Sequence, residues 1–204
     1  VEVFVTTRDR ILDAAAHVMR TRGLARATTK EIAKAAGFSE AALYKHFNDK
    51  TGIFLAVLAE RTPSKLGPLL ASLADRVGQG TVQATLEEVT RAALDFYRQS
   101  FPMAASLFSE PQLLAAHREA LRQRDAGPQH VGNAVAAYLS AEQNLGRVHH
   151  ESDPQAAAAL LLGACLQHAF LSHFLEPDHA DNTDQLAITL TATLIRGLIP
   201  HERQ

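Results

Sequence analysis

The sequence predicts an all-α protein: an N-terminal three-helix domain built on a helix-turn-helix, followed by a larger helical domain. Three observations carry that expectation. Alanine and leucine dominate the 204 residues while aromatics make up only 6%, a balance that favours helix over sheet. Apolar residues recur at three- and four-residue spacing along nearly the whole chain, and no alternating segment of useful length interrupts them. Glycine, proline and capping residues punctuate the ends of those runs.

From Thr7, "TRDRILDAAAHVMRTRG" puts Ile11, Ala15, Val18 and Met19 on one helical face, and Gly23 ends the helix. Thr28 and Glu31 stand in the T-x-x-E spacing of a capping box and open a short helix with Ile32, Ala33 and Ala36 inside. Gly37 stops it. Ser39 caps a second short helix, Glu40 to about Phe47, buried through Leu43 and Phe47, and a longer one runs from about Lys50 to Arg61. After "TPSKLGP" the pattern gives helices over 66–77, 81–100, 103–109 and 112–125, a break at Gly127-Pro128, and another helix to about Asn144. Ser152-Asp153-Pro154 is a start signal, with Asp153 as cap and Pro154 at the first helical position. That helix runs to Leu175, and the last spans about Thr183 to Ile199. The expected division is residues 1–50 for the helix-turn-helix domain and 51–204 for the helical domain behind it.

With 47% hydrophobic and 21% charged residues, the composition is that of a folded globular chain. The single cysteine, Cys165, excludes an internal disulfide framework and argues against a cysteine-based zinc site. The longest apolar stretch, Ala156 to Leu166, falls short of the roughly 20 residues that cross a bilayer, and no apolar leader with a cleavage site opens the sequence. The chain therefore reads as cytoplasmic, with no membrane partner. Its net charge of −2 conceals an asymmetry: residues 1–61 carry ten Lys/Arg against seven Asp/Glu, and residues 62–204 ten against fifteen. A basic head on an acidic body suits a protein whose head meets a polyanion.

The helix-turn-helix offers chemistry for that polyanion. Gly37 permits the left-handed backbone of the turn, and Ala33 is small where the second short helix approaches. A helix of about two turns fits the width of a DNA major groove. Ala41 and Ala42 keep its leading surface thin enough to meet a thymine methyl, Lys45 can donate to guanine or phosphate, and Tyr44 and His46 can donate to phosphate oxygens. Thr28, Thr29 and Lys30 bring hydroxyls, a cation and free backbone N–H groups to a helix N-terminus, and Lys50 does the same one helix later.

In these residues the chain resembles the TetR family of transcriptional repressors. The likeness covers residues 7–54: "ILDAAAHVM", then "TTKEIAKAAGFSEAALYKHFNDKTGIF", with Leu43-Tyr44-x-x-Phe47 followed by Asp49-Lys50. The resemblance implies phosphate contacts for Thr29, Tyr44 and Lys50, with Lys30, Glu40, Ala41, Ala42, Lys45 and His46 at or near bases and Ser39 beside them. Glu40 would face a polyanion unless it reads a cytosine amine or serves only the helix N-terminus.

The helices over 154–175 and 183–199 are apolar on more than one face. One stripe holds Ala157, Leu161, Ala164, His168, Leu171 and Leu175; another holds Ala156, Leu160, Gly163, Gln167, Phe170 and Phe174. In the last helix Leu186, Leu190, Leu194 and Leu198 oppose Ile188, Ala192, Ile195 and Ile199. One face can cover the chain's own core; the other needs a second partner. An isologous four-helix interface in a homodimer, with Leu160, Gly163, Gln167, Phe170, Phe174, Leu190 and Leu194 as candidates, would bury the surplus. Two-fold symmetry then implies an inverted-repeat site on double-stranded DNA. The family resemblance further implies a cavity for an unidentified small-molecule effector within 81–144. Phe96, Tyr97, Phe101, Met103, Phe108, Leu113 and His117 concentrate bulky groups there, and Arg98 or His117 would orient an acceptor.

Catalysis and metal binding find little support. No glycine-rich phosphate loop or nucleophile elbow occurs, so no catalytic residue and no cofactor is assigned. His149-His150-Glu151 with Asp153 is the densest histidine cluster but lies in a helix-start loop, and His168 and His173 are wrongly spaced to chelate together. The alternative to a DNA-binding regulator is an all-α small-molecule-binding or catalytic protein whose helix-turn-helix serves only as packing. Its mark would be the outward groups of Thr29, Tyr44, Lys45 and Lys50 scattered or buried.

Overall fold

The structure is a computed structural model that describes residues 5–24, 26–61, 64–124, 126–175 and 182–198. The expected end of the last helix at Ile199, the linker residues Thr62 and Pro63, and Asp125 lie outside the described residues. Ten α-helices occur among those described, with no strand: α1 (Thr7–Arg22), α2 (Thr29–Ala36), α3 (Glu40–Leu43), α4 (Lys50–Glu60), α5 (Leu66–Ala71), α6 (Val82–Leu107), α7 (Pro111–Gln123), α8 (Pro128–Asn144), α9 (Pro154–Phe174) and α10 (Thr183–Leu198). They form two compact units, residues 1–63 with 100–125, and 64–99 with 126–204. The boundary expected at residue 50 falls inside the first unit.

In the first unit α1 packs on α2 and α4, α2 on α3, and α4 on α7. The core gathers Ile11, Leu12, Ile32, Leu43, Phe54 and Val57, all fully buried, with Met103, Leu107 and Leu113 joining them. Gly37 takes the left-handed conformation at φ 75°, and Phe38 N–H closes the turn on the Ala33 carbonyl at 3.0 Å. The capping box expected at Thr28 and Glu31 forms only by half. The Thr28 hydroxyl accepts Glu31 N–H at 3.1 Å, but the Glu31 carboxylate turns to Arg22, 2.6 Å away. A complete box stands instead at Thr6 and Asp9, opening α1.

Charged ties join the start of α1 to the end of α4. Arg8 forks onto Glu60 at 2.7 and 2.6 Å, and Arg61 reaches Asp9 at 2.6 Å and Asp13 at 2.7 Å. The Thr6 hydroxyl and then the Arg61 guanidinium hold the Asp9 carboxyl down at about 2.

In the second unit α9 packs on α8 and α10, and α5 on α8, around Leu86, Val89, Leu139, Leu161, Cys165 and Ala187. Two expectations need correction here. The helix expected over 66–77 is α5 followed by a 3-10 turn at Ala74–Arg76. The helices expected over 81–100 and 103–109 are one, α6, which runs through Pro102. Proline has no N–H for the carbonyl four residues back, here that of Arg98. His173 Nε2 meets that carbonyl at 2.8 Å. A carbonyl can only accept, so the ring nitrogen carries the proton.

Glu142 is wholly buried: Oε1 accepts Gly78 N–H at 3.1 Å, and Oε2 lies 3.2 Å from Arg147 Nη1. Gln143 donates to the carbonyls of His149, His150 and Ser152 and so binds the α8–α9 loop. Helix α9, at 21 residues and a mean hydropathy of 1.4, is long and apolar enough to cross a membrane by length and composition, which the shorter apolar run 156–166 did not suggest. A third of that segment is buried.

Candidate nucleic-acid interface

The candidate interface is built by α2, α3 and the turns around them. Each helix start is capped by a short polar side chain: Thr28 on Glu31 N–H, Ser39 on Ala42 N–H at 3.3 Å, and Asp49 on Gly52 N–H at 2.7 Å. Helix α3 is shorter than expected. Its α-helical span stops at Leu43, and residues 44–46 continue as turn, with His46 and Phe47 N–H both reaching the Leu43 carbonyl at 2.9 Å. Leu43 and Phe47 are buried. Between and around them Ala41, Tyr44, Lys45 and His46 are exposed, and Ala42 is half-buried. Tyr44 keeps 52% of its surface, a large value for an aromatic side chain.

Thr28 and Lys30 are exposed and Thr29 half-buried at the start of α2. The Thr29 hydroxyl donates to the Glu40 carboxylate, tying the first residue of α2 to the first of α3. While that bond holds, the Thr29 oxygen can accept but not donate, so backbone N–H groups of the first turn and the Thr28 hydroxyl are the donors left for a phosphate. Glu40 thereby has an occupation other than facing a polyanion. Lys50 sends its ammonium to the Leu24 carbonyl at 2.8 Å, which spends one of three donors and fixes the charge beside the loop that leads to Thr28.

Arg10 carries no local sequence signal and was not singled out. From α1 its Nη2 donates to the Ala36 carbonyl at 3.3 Å, and its guanidinium lies 4.7 Å from the centre of the Phe38 ring. A contact between residues 26 positions apart leaves no mark on helical periodicity.

The other expected positions fall in separate places. Phe96, Tyr97 and Arg98 belong to the second unit; Phe101, Met103, Phe108, Leu113 and His117 to the first. Phe96 and Tyr97 are half-buried with ring centres 5.4 Å apart, and Arg98 is exposed beside Asp95 at 3.2 Å. Phe101 is half-buried, Met103 and Leu113 are core residues, and Phe108 is 74% exposed. Burial pushes the His117 imidazole below its usual range.

On α9 the row Ala156, Leu160, Gly163, Gln167, Phe170 and Phe174 is exposed from end to end. Of the other stripe Ala157 and Leu161 are buried, Ala164 and His168 half-buried, and Leu171 and Leu175 exposed. On α10 Leu190 and Leu194 are half-buried, each packed in part against the core of its own unit, while Ile188 is exposed. Among the described residues no three His, Cys, Asp or Glu side chains gather as a metal site.

Comparison with known proteins agrees with the helix-turn-helix geometry. The family model "Bacterial regulatory proteins, tetR family" matches residues 11–57, and that of the "AefR-like transcriptional repressor, C-terminal domain" matches 84–189, more than half the chain. The HTH-type transcriptional regulator YdgC of Bacillus subtilis is 28% identical over 204 residues, covering 96% of this chain and 94% of its own. The nucleoid occlusion factor SlmA of Haemophilus influenzae is 30% identical over 115 residues, 53% of this chain and 51% of its own. The chain thus spans about half the length of the SlmA protein it matches. In structure it is similar to a TetR-family transcriptional regulator from Mesorhizobium loti, with a TM-score of 0.71, 19% identity, and coverage of 95% of this chain and 97% of the other.

Proposed function

We propose a mode of action from one premise: the chain belongs to the TetR family of DNA-binding transcriptional regulators, transcription factors rather than enzymes. It acts in the cytoplasm as a repressor, holding an inverted-repeat operator as a homodimer and leaving it when a small-molecule effector binds. The observation that carries the DNA half is the division of the reading element. Leu43 and Phe47 anchor it in the core, while Tyr44, Lys45 and His46 between them remain outside. That division favours DNA binding over the packing-only reading, and none of Thr29, Tyr44, Lys45 and Lys50 is buried. Lys45 and Ala41 meet base edges; Thr28, Tyr44 and Lys50 meet phosphates.

The homodimer is supported by the uncovered row on α9, where Leu160 is 67% exposed and Phe174 72%. A largely apolar exposed row is uncommon on a monomer's surface, and a two-fold axis would lay it against its own copy. Two reading elements then fall one DNA turn apart, about 34–36 Å or a multiple. For the effector we retain Phe96, Tyr97, Arg98, Phe101, Met103, Phe108, Leu113 and His117 as positions to test. A ligand that prefers the released state tenfold shifts the equilibrium by about 1.4 kcal/mol.

The test is a selection of duplexes from a random pool, followed by binding titrations in rising salt. An inverted repeat is expected to emerge, and scrambling one half-site should remove most of the specific affinity. Lys50→Ala should weaken all duplexes and flatten the salt slope by about one unit, whereas Lys45→Ala should change which bases are preferred. Phe174→Glu removes about 1.5–3 kcal/mol of burial per subunit and should yield monomers with weak half-site binding. Undiminished binding by a monomeric Phe174→Glu chain would overturn the dimeric reading.

A further inference from the structure

We infer that Arg10 and Glu40 are positioning residues for the reading element: neither needs to touch a base, and together they set the angle at which α3 meets the DNA. The inference rests on the DNA-binding reading above. Helix α3 has four residues, and its own backbone tie from Tyr44 N–H to the Glu40 carbonyl is long, at 3.4 Å. Isolated helices below about 12–15 residues are marginal in water, so a helix this short takes its direction from what surrounds it. Leu43 and Phe47 supply the anchoring, but apolar burial has no direction. Direction has to come from hydrogen bonds and the cation–ring contact.

Two such restraints converge on α3, one at each end of α2. At the far end of α2, Arg10 grips the turn: its Nη2 meets the Ala36 carbonyl at 3.3 Å, and its guanidinium carbon lies over the Phe38 ring, 4.7 Å from the centre. A Cβ built on Gly37 would lie 3.6 Å from that same nitrogen, so the guanidinium rests directly against the left-handed residue of the turn. At the near end, the Glu40 carboxylate accepts the Thr29 hydroxyl. An ionised acceptor makes this bond stronger than a neutral pair would. One restraint sets the turn against α1, and the other sets the first residue of α3 against the first of α2. This accounts for an acidic residue on a surface meant for a polyanion. Lysine is a poor substitute for Arg10, because a compact, strongly hydrated ammonium does not cover the Phe38 ring face while one nitrogen reaches the Ala36 carbonyl.

The experiment uses the full chain, the inverted-repeat duplex that the wild type selects, and a scrambled duplex of equal length. Arg10→Lys keeps the charge and loses the guanidinium over the Phe38 ring. It should lose about tenfold on the selected duplex and under about twofold on the scrambled one, with an unchanged salt slope, near the low end of what one lost base contact costs. Glu40→Gln keeps an acceptor for Thr29 and should hold the ratio of the two affinities within about twofold, while Glu40→Ala should lower it about tenfold. Thermal melts run alongside show that each variant is folded, and Arg10→Met provides a second chain with a flat apolar stem if the lysine variant melts low.

Equal weakening of both duplexes by Arg10→Lys with a flatter salt slope would make Arg10 a phosphate contact and overturn its positioning role. A changed base preference in Glu40→Gln equal to that of Glu40→Ala would make Glu40 a base reader. Unchanged ratios in every variant would overturn both assignments. A wild type that enriches no duplex would remove the DNA-binding premise itself, a result distinct from any of these.

Discussion

Glu142→Ala tests the most exacting polar arrangement in the second unit. The carboxylate has no exposed surface, and with Arg147, which also donates to the Gly80 carbonyl at 2.6 Å, it fastens the loop before α6. Truncation strands the Gly78 N–H, a loss of about 1–3 kcal/mol. Breaking a buried pair by removing one partner costs about 3–5 kcal/mol in all. The Arg147 side chain keeps 28% of its surface and can rehydrate, and Oε2 faces it without a hydrogen bond. Both facts place the expected cost near the low end, about 3 kcal/mol. At about 2–4 °C per kcal/mol for a chain of this size, the melting temperature should fall by about 6–12 °C. Glu142→Gln keeps the acceptor for Gly78 and loses only the charge, so its fall should be under about half as large. The assay is thermal unfolding by circular dichroism at one fixed protein concentration, since oligomers melt in a concentration-dependent way. A drop of less than about 2 °C for Glu142→Ala would refute the reasoning. Equal damage from Gln and Ala would show that charge, not the acceptor, holds the loop.

The remaining predictions concern three other groups. In the native chain His173→Ala should cost about 1 kcal/mol, but in Pro102→Ala, where a backbone N–H again serves the Arg98 carbonyl, it should cost about half as much or less; equal costs in the two backgrounds would undo the account of α6. Asp9 has a folded value of about 2 against an ordinary 3.8, so the stability from its ties is complete above the higher value and is lost as pH falls through the lower. Asp9→Asn should flatten the acid side of the stability curve in that window, as read by urea unfolding at stepped pH; an unchanged curve would count against it. Burial pushes the Cys165 thiol up to about 12, so iodoacetamide at neutral pH should leave it unlabelled in the native chain and label it in denaturant. Rapid native labelling would contradict the buried placement.

What the sequence made legible was what neighbouring residues decide. Gly37, Ser39, Thr28 and Asp153 act within one turn of where they stand, so their caps and stops could be placed from spacing alone. Apart from the early end of α3 and the split of 66–77, the failures are long-range. Pro102 reads as a break because nothing nearby supplies its missing donor; the donor stands on another helix. Glu31 matches a capping box, yet Arg22 competes for its carboxylate and wins. Periodicity shows that α9 and α10 have two apolar faces but not how far each turns inward, so it gives no sign that Leu190 and Leu194 are half-buried while Ile188 is exposed. Glu142 gave no signal, because a carboxylate on an amphipathic helix is ordinarily solvated. In the interface the exposed Tyr44, Lys45 and His46 were legible from their flanking Leu43 and Phe47, whereas Arg10 was not.

The bond that mends α6 joins residues 75 positions apart. A ribosome adding about 5–20 residues per second needs roughly 4–15 seconds to cover that distance. Throughout that interval the Arg98 carbonyl lacks its His173 partner and stays open to solvent or to a chaperone. Translation speed between the codons for Arg98 and His173 therefore sets how long the nascent chain stays vulnerable. Synonymous changes that slow this stretch should lower the yield of folded product while leaving the purified protein itself unaltered.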